Sequence, residues 1–269
     1  MSAFSLQWLA LREPHDLRAR NSSVLDAAAA AFSHLTSIAV VDLACGSGAT
    51  LRAISARLPR RQSWRLVDND LSLLARAAPE IPVAGRTVTT VPIDIARDLE
   101  AALDGPVDLV TTSALLDLVS AEWLERLATE AAVRNLPVYA ALSYDGRATF
   151  EPHHVCDTAM IEAVNRHQCG DKGFGQALGP SAAAATIKQF EALDYTVVDG
   201  QSDWLLNPPD REMQSEFVNG WAAAAHEIDA LSLADIVDWL TFRREHITSG
   251  RSSIRVGHVD VFARPMGNR

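Results

Sequence analysis

The stretch Val41-Asp42-Leu43-Ala44-Cys45-Gly46-Ser47-Gly48-Ala49-Thr50-Leu51 holds the residues best suited to binding chemistry. Gly46 and Gly48 tolerate the positive φ and the close backbone approach that a ligand at a tight turn requires. A helix beginning near Ala49 offers unpaired N–H groups at its first turn. About 20 residues on, Val67-Asp68-Asn69-Asp70 places a carboxylate where it suits the hydroxyls of a ribose. The ligand class is therefore an adenosine-bearing cofactor. A dinucleotide turn wants a third small residue three places after Gly48, where this chain has Leu51. Asp42 would also lie close to a pyrophosphate and repel it. S-adenosylmethionine (SAM) carries an ammonium and a sulfonium and no phosphate, so the electrostatics favour SAM over NAD.

These residues need a sheet to hold them. Ser37–Leu43, Ser63–Val67, Thr87–Ile93, Val107–Thr112 and Pro137–Ser143 read as five short buried strands. Between them, Thr50–Leu58 (closed by Pro59), Leu71–Ala78 (stopped by Pro79) and Ala121–Arg134 read as helices. Such alternation implies right-handed βαβ units and a parallel sheet. The second half changes rhythm. Phe150–Pro180 is polar, with at most a short helix near Thr158–Arg166. Ala182–Leu193, Arg211–Ala230 and Leu233–His246 read as helices, and Tyr195–Asp199 and Ile254–Ala263 as strands. Strand, long insertion and strand predict an antiparallel pair completing the sheet. The insertion carries Phe217, Trp221, Ile236, Trp239, Leu240 and Phe242, so it must pack on the sheet's ligand edge.

The chain has 269 residues, 24 Lys+Arg and 34 Asp+Glu, a formal net charge of −10. That acidity opposes broad nucleic-acid or anionic-membrane binding. With 48% hydrophobic residues the chain can bury a full core, and its three cysteines point to a reducing cytosol rather than a disulfide framework. The N-terminus lacks the order of a secretory signal, and no apolar run reaches the roughly 20 residues of a membrane span. The expectation is a cytoplasmic protein, monomer or homodimer.

Val41–Gly48 resembles the first motif of class I SAM-dependent methyltransferases, acid-x-small-x-Gly-x-Gly, with Ala44 where that family more often has glycine. The resemblance assigns the cofactor to Asp42, Ala44, Cys45, Gly46, Gly48, Asp68 and Asn69. It assigns the adenine amino group to Asp94 and Ile95 in Ile93-Asp94-Ile95. It assigns the methionine moiety to the segment Val107–Leu115, with Ser113 in contact. Ile254–Ala263 resembles the family's seventh strand in its reversed hairpin. The implied fold is a seven-stranded, doubly wound, mostly parallel α/β sheet with an antiparallel C-terminal strand, helices on both faces and helical cap insertions. The chain then reads as one domain over 1–269, with an N-terminal helical segment at 1–36, a SAM-binding core at 37–145, and caps at 146–180 and 207–250.

Methyl transfer asks the protein to align a nucleophile and, where it is protonated, to take its proton. Candidates lie beyond strands four and five. Asp117 reads as a base or ammonium binder, or else a capping acid. Tyr144 and Asp145 read as substrate contacts, or else an ordinary Asp-Gly turn. His153, in His153-His154-Val155-Cys156, is a general-base candidate. That segment and His167-Gln168-Cys169 lack a recognised zinc spacing, so no metal is expected. Asn165–Gly175 reads as a lid or substrate loop in which Arg166 or Lys172 could grip an anion. Asn207-Pro208-Pro209-Asp210 reads as a turn before a helix. In the N-terminal segment Arg18 is the arginine expected to meet the SAM carboxylate. Trp204, Trp221 and Trp239 read as packing before they read as a cation cage. The sequence thus predicts a methyltransferase of a small-molecule acceptor. An RNA or protein methyltransferase and a non-catalytic SAM-binding protein are the alternatives. Asp42 and Leu51 speak against a third, an NAD-dependent oxidoreductase.

Overall fold

The computed structural model describes residues 5–77 and 83–266. Two helices come first, α1 (Leu6–Ala19) and α2 (Ser22–Ala31). The alternating half follows as β1 (Ser37–Leu43), α3 (Ala49–Ile54), β2 (Arg61–Asp68), α4 (Leu71–Ala77), β3 (Arg86–Pro92), α5 (Leu99–Ala102), β4 (Leu109–Ser113), α6 (Ala121–Val133) and β5 (Val138–Glu151). Then come α7 (Asp157–Gln168), α8 (Ala182–Glu191), β6 (Tyr195–Gln201), β7 (Trp204–Leu206), α9 (Arg211–Glu227), α10 (Leu233–Thr248) and β8 (Ser253–Pro265).

The strands form one sheet in the order β3-β2-β1-β4-β5-β8-β6, with β7 paired to β8. The β1–β2, β1–β4, β2–β3 and β4–β5 pairs are parallel, and β8 runs antiparallel to β5, β6 and β7. Apolar side chains leave β1 with the strand period of two. Val41 and Leu43 join the core under α5, α6 and α8. Ile38 and Val40 join the opposite core under α2, α3 and α4. A helix-covered sheet on both faces is what near-continuous apolar strands require.

The sequence reading differs from this architecture in three places, and one further expectation falls beyond it. The sheet has an eighth strand, the short β7, where seven were expected. Thr50–Leu58 is shorter as an α-helix, giving way to a 3-10 turn at Ser55–Arg57 before Pro59. The stop expected at Ala78-Pro79 lies outside the described residues. Finally, β5 does not end at Ser143 but continues to Glu151, so residues 146–151 are strand rather than insertion. Register shifts between Ala140 and Ser143 and between Tyr144 and Ala148 bend it. The bend swings the outer halves of β5 and β8 over a third core of Phe150, Trp204, Phe217, Trp221 and Trp239 with α7, α9 and α10. All three tryptophans are buried there.

Candidate active site

The turn after β1 has the geometry its glycines allow. Ala44, Gly46 and Gly48 have φ of +50°, +53° and +83°. Two backbone bonds brace it, Cys45 N–H to Val67 O at 2.9 Å and Gly48 N–H to Cys45 O at 2.8 Å. Gly46 N–H donates to Asp68 Oδ2 at 2.9 Å, and Asp70 N–H to Oδ1 at 3.0 Å, so Asp68 already holds the loop from the end of β2. The Cys45 side chain is buried, and that burial pushes its thiol pKa up and keeps it unreactive. Asn69 is exposed beside Asp68. Asp94 follows β3 at the same edge, its Oδ1 accepting Ala96 N–H. Ile95 is core; its side chain is buried and its carbonyl accepts Trp123 Nε1 at 2.8 Å.

Beneath the turn, Asp42 is fully buried. Thr111 Oγ1 donates to its Oδ1 at 2.7 Å, while Oδ2 has no partner among the described residues. Burial raises its pKa to about 7 against the pull of Thr111 and Arg20. Arg20 is the arginine that reaches the site, donating to Ser113 Oγ and to Tyr139 Oη, both at 3.1 Å. Arg18, the expected contact, points away. Its guanidinium is 60% exposed, pairs loosely with Asp210 at 3.8 Å and meets His15 Nδ1 at 2.8 Å. Arg20 is fixed through its neighbour. Asn21 caps α2, its N–H donates to Asp260 Oδ2, and its Nδ2 reaches Gln201 O. Gly200 permits that approach, since a Cβ there would sit 2.4 Å from Asn21 Nδ2.

The four catalytic candidates separate. Asp117 follows β4 on a 3-10 turn, is buried, and its Oδ1 has no partner among the described residues. Burial raises its pKa to about 6, opposed by backbone N–H groups including that of Tyr144 and by Arg12. Tyr144 is buried beside it, but its hydroxyl donates to Asn165 Oδ1 at 2.7 Å, and burial pushes its pKa up. Asp145 is not in a turn. It lies in β5, bonded to Arg147 in a cluster with Asp203. His153 is 76% exposed and pairs with Asp157, outside the site.

The remaining motifs are structural in place. His154 faces Asp238 and His167 faces Glu227. Among the described residues no three His, Cys, Asp or Glu side chains converge as metal ligands. The expected loop Asn165–Gly175 is not all loop: Asn165–Gln168 ends α7, and the rest is pinned, with Asp171 accepting from Gly173 and Gly175 N–H and Phe174 packed on Trp123. Lys172 lies 3.4 Å from His167. Asn207–Asp210 is a turn before α9, though after β7 rather than β6.

Sequence reasoning passed over His258 and gave Arg12, Asp16 and Arg20 no separate role. α1 lies across the edge of the sheet, with Leu9 against Gly46 and Glu13 joined to Arg52 at 2.5 Å. From α1, Arg12 sits 5.2 Å over the Trp204 ring and bonds Asp16, which accepts Trp204 Nε1 at 2.9 Å. His258 lies against Trp204, ring centroids 4.9 Å apart. A signal existed, since His258 and Asp260 are alternate polar positions in the otherwise apolar run Val256–Ala263.

Residues 40–136 match the family model described as a methyltransferase domain. No curated protein matches the sequence. Among solved structures, the cyclopropane synthase MmaA2 from Mycobacterium tuberculosis is 11% identical, with 97% of this chain and 95% of that one covered and a TM-score of 0.51. The cyclopropane-fatty-acyl-phospholipid synthase-like protein from Lactobacillus casei ATCC 334 is 13% identical, with 97% and 94% covered and a TM-score of 0.52. These likenesses concern the fold. The chain thus has the Rossmann-like methyltransferase fold, and residues 40–136 of it match a methyltransferase domain.

Proposed function

We propose that the protein binds SAM and transfers its methyl group to a small-molecule acceptor. The observation that carries this reading is the glycine turn set among buried or half-buried carboxylates, with Asp42 Oδ2 unpartnered beneath it. A phosphate would be repelled there, whereas a cationic, phosphate-free ligand would offset the charge. In this reading Asp42, Ala44, Cys45, Gly46 and Gly48 cradle the methionine end and Asp68 with Asn69 receives the ribose. Asp94 and the Ile95 backbone face the adenine, and Arg20 with Ser113 receives the carboxylate. SAM supplies an electrophilic methyl on a sulfonium. The chain's own part is to orient an acceptor beyond β4 and β5, to exclude water under α1, and to take a proton at Asp117 Oδ1. An imidazole at His153 has no place in this scheme, nor does Asp145.

The net charge of −10 and the cap over the ligand edge favour a small molecule over RNA. No helix among the described residues is long and apolar enough to cross a membrane, and three free cysteines suit a reducing cytoplasm. We read residues 1–269 as one domain, monomeric or homodimeric. Titration calorimetry with SAM and S-adenosylhomocysteine tests the reading. Both should bind, and Asp68→Ala should weaken them at least about tenfold with a folded circular dichroism spectrum. No heat with either ligand would sink the proposal.

A further inference from the structure

Between α1 and the β5–β8 pair lies a group of buried polar atoms that cofactor binding does not use. His258 is 5% exposed and stands opposite Tyr144 in the β5–β8 ladder. Its Nδ1 is 3.2 Å from Val256 O. A carbonyl only accepts, so Nδ1 carries the hydrogen and Nε2 keeps its lone pair. Burial and the charge of Arg12 lower the imidazole pKa to about 3, and the ring is neutral. Arg147 of β5 adds to that lowering. Asp203, facing from the β6–β7 connection, opposes it, but its carboxylate is occupied by Arg147, Arg255 and the His258 backbone N–H. Among the described residues, Nε2 has no hydrogen-bond partner.

Asp117 approaches from the other side of β5, where the Tyr144 N–H supports its carboxylate and Oδ1 is unpartnered. The field of Arg12 reaches both Asp117 and His258. Arg12 itself arrives neutralised, with Nε and Nη2 on Asp16. Trp204 forms the wall, its ring 4.9 Å from that of His258 at a tilt of 50° and 5.2 Å from the Arg12 guanidinium. A carboxylate or phosphate entering this space meets a carboxylate, a neutral lone pair and a cation already paired. A ligand bearing N–H or O–H meets the buried, donorless Asp117 Oδ1 and the free lone pair of His258 Nε2, and leaving a buried acceptor unmet is costly.

We infer that this space is the acceptor subsite and that His258 Nε2 is its specificity-determining atom, taking a hydrogen bond from an amine or hydroxyl borne on a planar apolar body and so selecting such acceptors over carboxylates and phosphates. The word acceptor rests on the methyltransferase reading; the ligand class rests on the side chains alone.

The test uses the full chain labelled with ¹⁵N-histidine, titrated at pH 7 with benzylamine, benzyl alcohol and benzoate, each with and without S-adenosylhomocysteine. The free protein should show His258 as the Nδ1–H tautomer. Benzylamine or benzyl alcohol should shift its Nε2 resonance and bind at least tenfold more tightly than benzoate by calorimetry. His258→Phe keeps the ring, loses the acceptor, and should cut that preference below threefold. An Nε2–H tautomer, no shift with any probe, benzoate within tenfold of both other probes, or a preference that the variant retains would each overturn the inference. If His258→Phe does not fold, the wild-type tautomer and titrations still decide. Failure of S-adenosylhomocysteine alone to bind sinks the cofactor reading and leaves the cofactor-free titrations to judge the ligand class.

Discussion

Asp42 is a carboxylate held at a cost. Its pKa is raised from 3.8 to about 7 by burial, and one oxygen has no partner among the described residues. Below about pH 4 it is protonated folded and unfolded alike, so nothing is lost. As pH climbs toward 7 the unfolded chain ionises freely while the folded chain keeps the proton, and stability falls. Above 7 the penalty is complete. Asp42→Asn keeps an acceptor for Thr111 and avoids the charge, so its melting temperature should exceed wild type by an amount that grows between pH 4 and 8. At pH 8 the gain should be on the order of 3 kcal/mol. The same variant should lose about tenfold in SAM affinity. A constant offset across pH would show that Asp42 is not the titrating group. This residue was legible in the sequence because an acid before a glycine turn has a local meaning. Arg20 was not separable from Arg18, since both are arginines near the end of one helix. What separates them is that Asn21 is tied to Asp260 and Gln201, contacts 239 and 180 residues away in the chain.

At the scale of elements, Gly48 shows why the turn and the helix after it are one device. It caps α3 at φ +83°, and an added Cβ would lie 3.0 Å from Ala77 O and 3.3 Å from Ala77 Cα. Both neighbours are backbone and neither yields easily. Gly48→Ala should therefore cost about 1–3 kcal/mol, read from chemical denaturation, and should weaken S-adenosylhomocysteine binding in calorimetry. A variant as stable as wild type would mean that the turn relaxes without α4. Ala44 already carries a positive φ without being glycine, a strain the turn tolerates. The strands around this turn were readable because each is a short apolar run between breakers, and β1 has the bounds predicted. The outer half of β5 was not. Asp145-Gly146-Arg147 has turn chemistry, yet pairing with β8 across two register shifts carries it through as strand. Local propensity lost there to a ladder whose other edge lies over 100 residues away.

Across the whole molecule, the chain divides its apolar surface among three cores, two on the faces of the sheet and one beneath the bent ends of β5 and β8. The third is pinned by Arg243, which is fully buried, stacks on Phe150, donates to Pro152 O and pairs with Asp157. Trp239 Nε1 donates to the same carboxylate at 2.8 Å. Arg243→Met should leave Asp157 as an uncompensated buried charge and cost about 3–5 kcal/mol, with SAM affinity in the surviving folded fraction within about twofold of wild type. A large affinity loss at unchanged stability would tie the cap directly to the cofactor. By itself the sequence determined the parallel core, the glycine turn and the acids at the strand ends, because strand periodicity, turn chemistry and the spacing from turn to next strand are short-range properties. Only the tertiary structure decided that Arg20 meets Ser113, that Asp145 pairs with Arg147 and His153 with Asp157, and that the charge of Arg12 acts on both Asp117 and His258. Those choices depend on side chains brought together from α1, the β4 turn and β8, whose separations in sequence carry no local signal.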